Sequence, residues 1–244
     1  HQFDAVNSDM SFNAELVGTY LAPVSNPLAI SAPTLLRARV YTGTDWSGLV
    51  ESYFVPEGTP VASAENLVIS EIHFHPMDQP DSEFIELLNT SPVSIDLSGM
   101  RFVSGVTFTF PNGALLPAGE RVVVAKDLAV FDARYSQVNS PYYQSGLRRF
   151  GPWTGSLSNG GEELTIEAAN GQPICSFTYN ASTLWPGRAD GRGSSLEIVR
   201  ESTIPRTAPE KSAWLSDPKN WRSSSEIHGS PGRVGLGPDN RILI

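Results

Sequence analysis

Apolar and polar residues alternate along most of the chain in short runs that end at Gly, Pro, Asn or Asp. A period of two is the mark of a half-buried strand, because successive side chains point to opposite faces. The runs that show it are Leu35 to Tyr41, Val50 to Val55, Leu67 to Phe74, Phe84 to Asn89 and Val106 to Phe110. They continue with Arg121 to Ala125, Glu163 to Glu167, Ile174 to Tyr179 and Ser195 to Val199. So many strands exceed what one open sheet holds comfortably, and the pattern predicts an all-β chain of two packed sheets or a barrel. Only Asp127 to Tyr135 places apolar residues at i, i+3 and i+7, which predicts one short helix with Asp127 as its N-cap.

Pro and Gly cluster at Pro56-Glu57-Gly58-Thr59-Pro60, between two strand patterns, as a linker would. The division expected from this break is a β segment over residues 1–60, a main β-sandwich domain over 61–233, and the start of a linker or following segment over 234–244. Glu201 to Pro218 is rich in Ser, Thr and Pro and reads as a loose stretch, after which Trp221 is expected to return to the body of the domain.

Length and composition narrow the classes. At 244 residues, with 40% hydrophobic and 18% charged residues, 21 Gly and 19 Pro, the chain can bury a core and suits strands joined by turns. A net charge of -9 opposes nucleic-acid binding, which needs clustered cations, and the longest basic run is Arg148-Arg149. Cys175 is the single cysteine, so an internal disulfide and a cysteine-rich zinc site are excluded, and its apolar surroundings predict a buried core residue. No apolar stretch approaches the roughly 20 residues of a membrane span, and no membrane insertion is expected. The opening at His1 without a methionine, and the close at Ile244 in mid-pattern, read as a piece of a longer polypeptide.

Candidate chemistry is sparse. Glu71, His73 and His75 stand at i, i+2 and i+4 of one strand and would share a face, which gives a candidate metal-ligand set. Weighed against it is a hydrogen-bonded histidine pair at a strand end, and no metal site is assigned. Asp78, Asp81 and Glu83 form a short acidic loop and Asp190-Gly191-Arg192-Gly193 a second Asp- and Gly-bearing loop; either could offer oxygen ligands to calcium, but neither has the spacing of an EF-hand. No Gly-x-Ser-x-Gly elbow or phosphate loop occurs and Cys175 has no histidine nearby in sequence, so no catalytic residue and no cofactor is assigned. A hydrolase would need a cleft with titratable groups facing one another. Trp153 and Trp185 lie in loop-like surroundings and are the candidates for stacking on sugars, the competing reading being rings that pin loops to the core.

Three sequence blocks carry a resemblance: Leu67-Val-Ile-Ser-Glu-Ile-His-Phe-His-Pro76, Glu83-Phe-Ile-Glu-Leu-Leu-Asn-Thr90, and Ile95-Asp-Leu-Ser-Gly-Met-Arg101. Together with Leu116-Pro-Ala-Gly-Glu-Arg-Val-Val-Val124, Gly155-Ser-Leu-Ser-Asn-Gly-Gly-Glu-Glu-Leu164 and Ser194-Ser-Leu-Glu197, they resemble the lamin tail domain over about residues 67–200. Asn220-Trp-Arg222 and Gly229-Ser-Pro-Gly232 resemble the end of its bacterial members. Ser31 to Tyr41, Trp46-Ser47 and Glu51 to Phe54 are similar to the last strands of the fibronectin-like module of chitobiase-type proteins, here partial, with its early strands missing or poorly formed before Ala22. The resemblance implies an immunoglobulin-like β-sandwich acting as a non-catalytic structural or interaction module of an exported, cell-surface, multidomain bacterial protein. Its partner would be an unknown protein or a surface polymer. The alternative is a glycan- or surface-polymer-binding module that uses the loop aromatics.

Overall fold

The computed structural model describes residues 2–6, 12–19, 31, 34–39 and 44–237. The N-terminal part is an antiparallel sheet of β1 (Gln2–Val6), β2 (Phe12–Thr19), β3 (Thr34–Arg39) and β4 (Val50–Phe54), in the order β2-β1-β3-β4. β1 and β2 correct the expectation that strands are poorly formed before Ala22. Both alternate over four or five residues, Gln2 to Ala5 and Phe12 to Leu16, and β1 is laddered on one side to β2 and on the other to all of Leu35–Arg39. The expected strand over 35–41 closes at Arg39, and residues 40 and 41 lie outside the described residues.

Beyond residue 60 the strands are β5 (Leu67–His73), β6 (Phe84–Asn89), β7 (Ile95–Asp96), β8 (Arg101–Ser104) and β9 (Phe108–Thr109). They continue with β10 (Leu115–Leu116), β11 (Arg121–Ala125), helix α1 (Leu128–Tyr135), β12 (Arg149–Phe150), β13 (Gly161–Glu167) and β14 (Pro173–Asn180). The last are β15 (Leu196–Ile198), helix α2 (Ala208–Ser216) and β16 (Trp221–Ser223). One large sheet has the order β12-β11-β6-β5-β15-β16 and a second β14-β13-β8-β9, while β7 and β10 form a small ladder of their own. Ile69, Ile72, Ile85, Leu87, Val122 and Val124 from the first sheet share one core with Phe102, Leu164, Ile166, Ile174, Cys175 and Phe177 from the second. This is a mostly-β sandwich, as the alternation predicts, and Cys175 is buried in it.

Every residue of β5 and of β6 is buried, so the large sheet is covered on both faces. On its outer face, away from the shared core, Phe84, Val123 and Ala125 meet Phe131 and Tyr135 of α1. α1 begins where the sequence predicts, with the Asp127 carboxylate accepting from the amides of Ala129 (2.8 Å) and Val130 (3.0 Å). Replacing Asp127 by alanine leaves two first-turn amides without their side-chain acceptor and is expected to cost about 1 kcal/mol in denaturant unfolding, with Asp127→Asn recovering most of it.

α2 corrects the expectation of a single helix. The sequence hides it, because Ala208–Ser216 has Pro209 in its first turn, no side-chain cap from Thr207 and little apolar periodicity. Tertiary contacts hold it instead. The buried Lys211 ammonium donates to the carbonyls of Ala64 and Leu67, and Ser212 Oγ accepts the Ser176 amide at 2.9 Å. α2 thereby satisfies a donor on the otherwise open edge of β14.

Candidate functional site

The outer face of the large sheet is apolar under α1 and polar beyond it. The cross-strand pairs Glu71↔Glu86, Val123↔Glu86 and Glu197↔Glu71 bring three carboxylates together on that face. An irregularity in the β5–β6 register between Ile69 and Glu71 makes this possible: Ser70 is the extra residue, and it shifts the alternation so that Glu71 and His73 turn outward. Ser70 Oγ donates to Glu86 Oε1 at 2.6 Å. Arg121 pairs with Glu86 at 3.1 Å and also with Glu201, and Arg222 pairs with Glu197 at 3.0 Å. Among the described residues Glu71 accepts from the Ser195 hydroxyl, the Ser230 amide (2.8 Å) and the Ser230 hydroxyl (3.4 Å), and no arginine pairs with it.

Burial and two like charges set the protonation of this cluster. Burial, and then the neighbouring Glu86 and Glu197, hold the Glu71 carboxyl well above the usual carboxylate range. Glu86 is pushed up to about 7 by burial, against the pull of Arg121, Ser70 and the Gly232 amide. A cavity of about 20 Å³ remains among Glu71, Glu86, Glu197, Arg121 and Arg222.

A second polar group lies at the α1 end of the same face. His73 is fully buried, packed edge-on against Phe84 (5.3 Å between ring centres) and facing His228 at 6.4 Å. Among the described residues neither ring nitrogen has a well-formed hydrogen-bond partner; burial, followed by the charges of His228 and Arg134, lowers its pKa to about 3, against a smaller opposing pull from Asp78 and the Ser82 backbone. Arg134 makes two bonds to Asp78 (2.8 and 2.9 Å), one to Ser82 Oγ (2.9 Å), and approaches His228 Nδ1 at 3.3 Å. A guanidinium can only donate, so His228 Nδ1 accepts and its proton sits on Nε2, turned toward Asp78 at 3.6 Å.

The segment after β16 closes this face. Residues 228–231 are buried, and the Ser230 amide binds Glu71, Ser230 Oγ binds Glu197 (2.6 Å), and the Gly232 amide binds Glu86 (2.6 Å). Arg222 donates to the carbonyls of Gly235 (3.2 Å) and Gly237 (2.9 Å), and the Tyr135 phenol donates to the His228 carbonyl (2.6 Å). The carboxylates of the sheet are occupied in holding a strap.

Glu71, His73 and His75 do not converge on a common point. Glu71 turns to Ser195 and Ser230, His73 to Phe84 and His228, and His75 lies beyond the strand with Nδ1 2.7 Å from Asp190 Oδ1. Among the described residues no group of three or more His, Cys, Asp and Glu side chains is placed to hold a metal ion. The acidic loop is split by its cations, Asp78 to Arg134 and both Asp81 and Glu83 to Lys126. Trp153 is 5% exposed and Trp185 9%, and Trp185 packs on Trp221 with 6.2 Å between ring centres, so both rings lie against the core. Sequence reasoning missed Glu197, Arg222, His228 and Ser230. The usable signals were carboxylates inside apolar strands, at Glu71 and at Glu86, the second of which is paired with Arg121.

The two facing sheets and the sealed outer face define an immunoglobulin-like β-sandwich module. A family model, the Lamin Tail Domain, matches residues 60–181, half of the chain, and the chain belongs to that family. Among solved structures it is similar to a DUF4876 family protein from Bacteroides thetaiotaomicron, at 10% identity and a TM-score of 0.39, over 97% of this chain and 90% of that one. No curated protein matches the chain. Among the described residues no helix is long and apolar enough to cross a membrane.

Proposed function

We propose that this chain is a non-catalytic structural and interaction module of a larger, exported, cell-surface protein, with residues 1–60 forming a partial fibronectin-like segment and 61–233 the lamin-tail domain. The observation that carries this reading is the use made of the titratable groups. Glu71, Glu86 and Glu197 each accept from the strap, Arg121 and Arg222 neutralise two of them, and Arg134 is engaged by Asp78, Ser82 and His228. Groups committed to internal bonds rigidify a scaffold and leave the end loops to present the surface. Family membership supports the same class, because its immunoglobulin-like fold is one of interaction modules.

The second reading, a glycan-binding module built on Trp153 and Trp185, is tested together with the first. The full chain is passed over insoluble polysaccharides, and Trp185→Ala is compared with the wild type in retention and in thermal unfolding. The scaffold reading expects no saturable retention and a stability loss of about 2 to 4 kcal/mol for the variant, since a large buried ring is removed. Saturable retention that disappears in a folded Trp185→Ala chain would sink it in favour of the glycan reading.

A further inference from the structure

The strap fits its groove through a spacing of glycines. Gly229, Gly232 and Gly235 stand three residues apart, and a Cβ at each would overlap Glu71 Oε1, the Leu147 side chain and the Glu197 carboxylate in turn. Gly229 and Gly232 also have φ of +87° and +82°, where other residues are strained. Ser230-Pro231-Gly232-Arg233 closes a turn through the Arg233 amide and Ser230 carbonyl (3.2 Å), with Pro and Gly in the positions such a turn favours. Carboxylates at fixed places accept the Ser230 and Gly232 amides, and Arg222 takes the carbonyls of Gly235 and Gly237. The groove reads a backbone with glycine where the seat is tightest, together with the Ser230 hydroxyl that donates to Glu197.

The hinge that leads into the strap is strained. His228, the last residue before Gly229, has φ of +70°, a conformation that costs a β-carbon-bearing residue energy. On the strap's outer side Ile227, Val234 and Leu236 are 52%, 59% and 79% exposed. A segment with a strained hinge, a sequence-specific seat and an apolar back has what exchange between identical chains requires: opening relieves the hinge, the seat in a neighbour is identical, and the exposed residues gain cover between the two copies.

We propose that the outer-face groove is an interaction site for residues 228–237 of a second copy of this chain, so that two molecules can exchange straps reciprocally. The inference names a partner for the interaction module but does not rest on that reading, because a chain that bound polysaccharide could exchange its strap equally well. The intramolecular strap competes with the incoming one through its high effective concentration, so the free site is exposed only where the chain's own strap is unseated.

The test uses the full-length chain carrying Gly229→Val, which blocks its own strap against Glu71 and leaves every groove side chain unchanged, and a fluorescent peptide of residues 226–237. The peptide is expected to bind the variant roughly tenfold or more tightly than it binds wild type, and a peptide carrying the same Gly→Val change is expected not to bind. A folded variant that ignores the peptide, or one that binds both peptides equally, overturns the proposal. Tighter binding of an unrelated peptide with the same glycine spacing overturns the assignment to a second copy. Should Gly229→Val not fold, isotopically heavy and light wild-type chains are mixed at high concentration and examined by native mass spectrometry. Mixed dimers support exchange, and monomers alone overturn it. Retention on polysaccharide is unaffected by either result, so the two proposals fail separately.

Discussion

Replacing His73 by leucine is expected to remove one large contribution to the acid sensitivity of this fold, beside those of Asp78, Asp132, Glu226 and His228, whose values are also lowered. The imidazole is buried completely between β6 and the strap and has no well-formed hydrogen-bond partner among the described residues. Its folded pKa of about 3 lies below the ordinary 6.5, so between those values the folded chain binds fewer protons than the unfolded one. Stability is then full above pH 6.5 and falls steadily as pH drops toward 3, by about 1.4 kcal/mol for each pH unit crossed. Glu86 works the other way: its folded value of about 7 exceeds the ordinary 4.5, so its contribution grows as pH falls from 7 to 4.5. Glu71, also raised, acts in the same sense as Glu86. The histidine effect is therefore read as a difference between chains.

Urea unfolding at about pH 7.5 and about pH 4.5 should show wild type losing roughly 2 to 3 kcal/mol more than His73→Leu across that interval. At the higher pH the variant should be as stable as wild type or more so, because leucine leaves no buried nitrogen unpaired. Parallel pH curves for the two chains would mean that His73 finds a partner, or water, in solution.

The sequence made β5, β6 and β11 plain because they are short, mostly apolar runs bounded by turn residues, as strands buried on both faces are. Two- and three-residue ladders such as β7, β10 and β16 carry too few residues to show any period, and are specified by the neighbours they pair with. α2 was invisible for a related reason, since a buried lysine bonded to two carbonyls holds it and no sequence window contains that fact. Glu71 and His73 were visible as polar residues on one strand. What they would meet was not, because the register shift at Ser70 and the return of residues 228–235 are decided by tertiary packing. The glycines of the strap could be counted in the sequence, but that each one faces a side chain is a property of the fold alone. The expected return of Trp221 to the body was legible, since a large ring after a loose stretch has nowhere better to go, and the ring is 2% exposed.

Trp221→Ala is expected to be the most damaging single truncation in the sandwich, costing about 3 to 5 kcal/mol. The ring stacks on Phe177 of β14 (5.9 Å, 17° between planes), touches Trp185, and donates its Nε1 proton to the Leu215 carbonyl at 2.7 Å. It therefore joins β16 at the edge of one sheet to β14 at the edge of the other and to the end of α2. For a chain of this length the loss corresponds to a fall in Tm of roughly 6 to 20 °C. Trp221→Phe divides the effect: it keeps an aromatic face against Phe177 but leaves the Leu215 carbonyl without its donor, a cost of about 1 to 3 kcal/mol. If alanine costs much more than phenylalanine, area between the sheets is what the ring supplies. Should the two be equal, the hydrogen bond that ends α2 dominates, and the helix rather than the sheet contact is what Trp221 secures.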